Sequence, residues 1–148
     1  MMKSSARDTN LEHKSLLSTL WIFVLVNMIY ADILGMLRPG YLDFLDQISQ
    51  QLTGSTVLLF AVFMEVAIAI ALTCQFAMIL LSRVLAYKAN RRAHFIAIPL
   101  TILWVVVPAL MPSLGETTPL SYVFFASVEV VTMAFMFWYV WQWKSVSS

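Results

Sequence analysis

LLSTLWIFVLVNMIYADILGML, residues 16–37, runs through one charged side chain, Asp32. About 20 mostly apolar residues in a helix are enough to cross a hydrocarbon core of about 30 Å. Three further stretches meet the same requirement, at about 55–81, 93–111 and 119–141. In lipid the backbone must satisfy its own hydrogen bonds, so spans of this length are helices. The alternation that marks barrel strands is absent. The expected fold is an all-α membrane protein, a four-transmembrane-helix bundle forming a single domain over 1–148.

Composition agrees with that expectation. Of 148 residues, 61% are hydrophobic and 11% charged, with a mean hydropathy of +0.83. A soluble domain carries roughly 25% charged residues, more than twice this share. The net charge of +1 offers no basic field for nucleic acid. The single cysteine, Cys74, lies in an apolar run and excludes a disulfide framework or a thiolate metal cage. The first apolar stretch is longer than a signal-peptide core and no small-x-small cleavage site follows it, so it is expected to be a retained helix.

Basic residues predict the orientation. Lys3, Arg7 and Lys14 precede the first span, Arg83, Lys88, Arg91 and Arg92 join the second to the third, and Lys144 follows the fourth. Arg38 alone falls on the opposite side, with Asp43, Asp46 and Glu116. By the positive-inside rule both termini are cytoplasmic. Trp138, Trp141 and Trp143 then mark the inner interface, and Tyr41 and Tyr122 the outer one. Between the first two spans, Leu42, Leu45, Ile48 and Leu52 stand at helical spacing. They fit a short amphipathic helix on the outer surface or, equally, an ordinary loop cap. Pro99 and Pro108 are expected to bend the third helix, and His94 to lie at the interface beside Arg91 and Arg92.

Function has to be sought in the polar residues of the spans. An ionisable group there costs about 2.5–3.5 kcal/mol on insertion scales and usually faces the bundle interior. Asp32, Glu65 and Glu129 are such groups, and Asn27 joins them. Glu65, Glu129 and Asn27 each sit about ten residues from the outer end of a helix, or about 15 Å deep, while Asp32 lies about 8 Å nearer the outside. Tyr122, Phe125, Glu129, Met133 and Met136 form one helical stripe, and Ala61, Glu65, Ala69 and Leu72 another. Asn27 and Asp32 are about 140° apart on the first helix. The Trp21, Leu25, Met28 and Asp32 face is expected to point inward, with Asn27 reaching a neighbouring helix.

These residues, with Tyr30 and Tyr122, are the candidate ligand site: Asp32, Glu65, Glu129, Asn27, Tyr30 and Tyr122. Apart from Arg38 near Asp32, no cation lies among the carboxyls, so the site suits a small cation, a proton or a lipophilic amine. The competing reading is that Glu65 and Glu129 share hydrogen bonds with neighbouring Tyr, Thr and Asn side chains and hold the helices in register. No catalytic residues, cofactor or metal are expected, because nucleophile, phosphate-loop and zinc motifs are absent and the Glu-x-x-His pattern of carboxylate metal bundles is missing.

Three segments carry a resemblance: TLWIFVLVNMIYADILGMLRPG (19–40), KANRRAHFIAI (88–98) and YVFFASVEVVTMAFMFWYVWQWK (122–144). They resemble a family of small bacterial four-helix membrane proteins known as a domain of unknown function, DoxX-like in layout. The pattern falls on Trp21, Tyr30, Ala31, Asp32, Pro39 and Gly40, and on Phe124, Phe125, Glu129, Trp138, Tyr139, Trp141 and Trp143. The resemblance implies a multi-pass protein of the bacterial inner membrane and again singles out Asp32 and Glu129. Glu65 falls outside the matching segments.

Two main functions follow as expectations. One is binding or transport of a cation, proton or lipophilic ligand, helped by a homodimer because four short helices make a thin bundle. The other is a non-catalytic accessory subunit within a membrane complex. A quinone-linked subunit is a third, carried only by the DoxX-like layout. The lipid bilayer is the one partner common to all three.

Overall fold

The computed structural model describes residues 2–37, 39–40, 42–43, 46, 50, 55–110 and 120–143. Within these the chain is helical: α1 (Met2–Met36), α2 (Ser55–Val84), α3 (Tyr87–Leu110) and α4 (Leu120–Gln142). Leu45, Ile48 and Leu52 of the expected surface helix lie outside the described residues, as do Arg38, Tyr41, Pro119 and Lys144.

α1, α2 and α3 are longer than the apolar runs alone imply. α1 begins at Met2 rather than Leu16, which makes it about 50 Å long at 1.5 Å per residue. Between α2 and α3 only Leu85 and Ala86 lie outside a helix. Leu85 N–H still donates to Leu81 O at 2.9 Å, and Asn90 N–H closes the first turn of α3 on Ala86 O at 2.9 Å. Hydropathy marks where charge begins, whereas Arg, Lys and Ala are good helix formers and continue the helix past that point. α1 stops for a local reason. Proline at 39 disfavours helix in the residue before it, and Gly40 takes a φ of +83°, open to glycine without strain. α3 runs without interruption through Pro99, which sits on its exposed face.

Each helix packs antiparallel to its neighbours in a closed ring. α1 packs on α2 and α4, and α3 on α4 and α2, so α1 faces α3 and α2 faces α4 across the diagonals. Three contacts fix the α3–α4 register: Tyr87 Oη donates to Trp143 O at 2.7 Å, Phe95 meets Phe137 edge-on at 5.1 Å, and Tyr122 Oη donates to Val105 O at 3.1 Å. Along α1, His13 hydrogen-bonds Tyr139 at one level and Asn27 reaches Phe125 and Glu129 at another.

Burial is uneven along the bundle. The core includes Leu17, Trp21, Val24, Met78, Ile98, Met133, Met136 and Val140, all at most 3% exposed, with Ala97 and Trp143 at 4%. It lies toward the end where α1 starts and α4 finishes. Among the described residues, burial on α1 stops after Met28, on α2 it starts at Gln75, and on α4 it starts at Glu129. Beyond those levels Tyr30, Ile33, Met36, Val62 and Phe63 are exposed. Much of the outside is apolar, with Val131, Leu103, Leu80 and Trp141 all more than 60% exposed, although Asp32, Glu65, Arg83, Lys88 and Arg92 are exposed as well. Such a surface is suited to lipid. Three helices are long and apolar enough to cross a membrane, over Asn10–Met36, Glu65–Val84 and Leu120–Gln142. α3 opens with Lys88, Arg91 and Arg92, so its apolar part starts only afterwards.

A buried polar seam ties the tight end together. Ser18 Oγ donates to Ile79 O at 3.0 Å and accepts from Arg83 Nε at 3.0 Å. Asn90 Nδ2 donates to Ser82 O at 2.7 Å, and Ser82 Oγ bonds back to Met78 O. His94, expected at the interface, is instead fully buried, with Nδ1 donating to Asn90 O at 2.8 Å and Nε2 3.3 Å from Ser82 Oγ. Its place is explained by Asn90, His94, Ala97, Ile98, Thr101 and Val105, which share the buried face of α3. Arg92 points out from another face. Nearness to Arg92 in sequence was the wrong guide, because residues two apart on a helix do not share a face.

Trp21 is fully buried beside His94, with ring centroids 6.1 Å apart, whereas Phe23 is 48% exposed. Trp21→Ala opens a core cavity and is expected to destabilise the protein by about 3–5 kcal/mol. Thermal unfolding in mild detergent measures this, with Phe23→Ala expected to melt as the wild type does.

Candidate functional site

α1 and α4 bring two of the expected residues into direct contact. Asn27 Nδ2 donates to Glu129 Oε1 at 2.8 Å and approaches Phe125 O at 3.2 Å. Glu129 is 3% exposed and continues on α4 into Met133, Met136 and Val140 as one buried stripe. Among the described residues Asn27 is the hydrogen-bond partner of this carboxyl, and no basic side chain forms an ion pair with it. A carboxylate offers about four lone-pair sites. One amide therefore leaves most of its accepting capacity for another donor or cation.

Two more expected residues stand near this pair. Tyr122 lies two turns from Glu129 on α4 and is half-buried, its hydroxyl tied to Val105 O. Asp32 is exposed on α1, within electrostatic reach of both Glu129 and Tyr122. Thus α1 and α4 gather Asn27, Glu129, Tyr122 and Asp32 where the tight core gives way to the more exposed half. Asp32 was expected to point inward with Trp21, Leu25 and Met28 but is exposed, because it lies beyond the tightly packed level of α1; those three face the core, and Asn27 reaches sideways to α4.

Glu65 and Tyr30 are placed differently. Tyr30 is 59% exposed. Glu65 is exposed on α2, the helix diagonal to α4. The buried face of α2 is Gln75, Met78 and Ser82, which at 100° per residue lies about 80–140° around the helix from Glu65. Of the Ala61, Glu65, Ala69 and Leu72 stripe, Glu65 and Ala69 are exposed and Leu72 is half-buried, while the side chain of Ala61 lies outside the described residues.

Gln75 is the polar residue that inspection of carboxyls passed over. It is 1% exposed, level with Asn27, and donates from Nε2 to Met28 Sδ at 3.2 Å, while its Oε1 has no partner. Its spacing with Met78 and Ser82, at i, i+3 and i+7, is the signal that would have found it. Trp21 Nε1 and Asn90 Oδ1 are likewise buried without partners.

The Asn27–Glu129 bond predicts measurable coupling between the two helices. Asn27→Leu strips a buried carboxyl of its donor, a loss of about 1–3 kcal/mol. Glu129→Leu in the Asn27→Leu background should recover part of it. A double-mutant cycle on thermal stability is expected to return a coupling of about 1 kcal/mol; additive losses would mean the pair is independent.

No curated protein and no solved structure matches the chain. A family model does match, over residues 4–148, and the chain belongs to that family, a family of unknown function (DUF6326).

Proposed function

We propose that this protein is a four-span protein of the bacterial inner membrane, with both termini cytoplasmic, that binds a cation at Glu129. The cation is a proton or a lipophilic organic cation reaching the carboxyl from the more exposed half of the bundle. Lys3, Arg7 and Lys14 at the start of α1, Arg83, Lys88, Arg91 and Arg92 around the α2–α3 turn, and Lys144 after α4 support that orientation.

One observation carries the binding reading. Glu129 is buried in an apolar bundle with a neutral amide, not a cation, as its partner. A buried carboxylate without a fixed counter-charge is costly, and a mobile cation relieves that cost. Asn27 orients the carboxyl through Oε1, and Asp32 adds a second negative charge toward the exposed half. Tyr122 supplies an aromatic ring beside the approach, suited to an organic cation.

An accessory, structural role has its own support. Asn27 also donates to Phe125 O, so this amide joins α1 to α4 whatever the charge on Glu129.

Binding of tetraphenylphosphonium to the purified, lipid-reconstituted chain separates the two. Under the binding reading, Glu129→Gln lowers affinity at least tenfold at an unchanged melting temperature, since glutamine still accepts from Asn27. Undiminished binding in that variant defeats the proposal, and a lowered melting temperature with undiminished binding establishes the structural role.

A further inference from the structure

Two polar side chains form the floor of the looser half. On passing from Ser55 along α2, Gln75 is the first described residue to be buried, and Glu129 holds that place on α4. α1 sets the two at one level, because Met28 receives the Gln75 amide and the adjacent Asn27 donates to Glu129. α2 and α4 stand on a diagonal of the bundle, so the two side chains enter its interior from opposite sides.

Both carry oxygens that lack a donor. Gln75 is 1% exposed; its Nε2 donates to Met28 Sδ at 3.2 Å, and its Oε1 has no partner. The sulfur fixes which way the amide lies, since a thioether accepts but cannot donate. Glu129 accepts from Asn27 through Oε1, and no described donor is bonded to its Oε2. α3 adds another acceptor. Thr101, buried on α3, lies between Phe95 and Val105, whose contacts with Phe137 and Tyr122 bracket Glu129 on α4. Its hydroxyl proton is committed to Ala97 O at 2.9 Å, which leaves the oxygen only lone pairs to offer. This level of the bundle is thus rich in acceptors and short of donors. A buried acceptor without a donor forfeits its hydration and gains nothing in return.

On the reading that Glu129 binds a cation, we infer that the cation is a protonated amine, whose N–H groups donate to Gln75 Oε1 and Thr101 Oγ1 while its charge meets the carboxylate. An ammonium group carries its charge and its donors on one atom. A quaternary ammonium or a phosphonium brings charge alone and leaves Gln75 unmatched. A hard metal ion asks for about six oxygen ligands, more than these side chains provide. A site built to accept hydrogen bonds discriminates against an analogue that cannot donate them, because its own polar groups are then left unpaired.

The test is calorimetric titration of the full chain in lipid nanodiscs with phenethylammonium and with its N,N,N-trimethyl derivative, each corrected for uptake by empty discs. The wild type is expected to bind the primary ammonium about tenfold more tightly or better. Gln75→Met keeps the length of the side chain and removes the oxygen, and should bring the ratio of the two affinities to about one. The same substitution should leave the melting temperature of the unliganded protein unchanged or raised, since an apolar group replaces an unmatched buried amide. A Gln75 that served only to hold α2 against Met28 would give the opposite pair of results, a lowered melting temperature and an intact ratio. An intact ratio in Gln75→Met overturns the inference, and so do equal affinities in the wild type, which need no variant to fold. Either result leaves Glu129 as a site for cations with or without donors. Binding of neither cation overturns the inference together with the reading of Glu129 beneath it.

Discussion

A largely apolar exterior draws the uncharged polar side chains of the described core inward. With leucine, valine and phenylalanine covering the outside of the helices, serine, asparagine, glutamine and histidine find their partners between helices or on carbonyls of their own turn. Ser18 bridges α1 to α2, Asn90 and His94 turn toward Ser82, and Asn27 crosses to α4. Each bond is worth little net in a bundle of this kind, about 0.6 kcal/mol on average in one measured case. Their number and spacing along the axis nevertheless fix the register that van der Waals packing alone leaves degenerate.

Tight and loose halves follow from where bulky residues meet. Trp21, His94, Met133, Met136 and Trp143 fill the space near one end. At the other end α1 and α2 present Ile29, Tyr30, Val62 and Phe63 outward. Glu129 stands at the junction, the first buried residue of α4 on passing inward from Leu120. A carboxyl at such a boundary is shielded on one side by packed methionine and approached on the other. That placement, more than its burial, distinguishes it from a residue used only to hold helices together.

Much of the fold was legible in the sequence, and the reasons differ by residue. Four apolar runs sufficed for four helices, because length and hydropathy are sums over many residues. The Tyr122–Met136 stripe of α4 and the Trp21–Met28 face of α1 were legible from helical periodicity. His94 and Glu65 were not. His94 stands beside two arginines in sequence but shares a face with Asn90, Ile98 and Thr101. Glu65 is about as many residues from the start of its helix as Glu129, but α2 is offset along its neighbours, so Gln75 and not Glu65 stands level with Asn27 and Glu129, and α2 turns that Gln75 face inward. Rotation of a helix whose residues are apolar all round is set by its neighbours, and no single helix encodes it.

The two-residue link between α2 and α3 has a consequence for biogenesis. With Leu85 and Ala86 alone between them, and Asn90 bonded back to Ser82 O, these helices form a closed hairpin before α4 is needed. Closing so short a link costs little chain entropy, so α2 and α3 are the helices best placed to meet first as the chain folds.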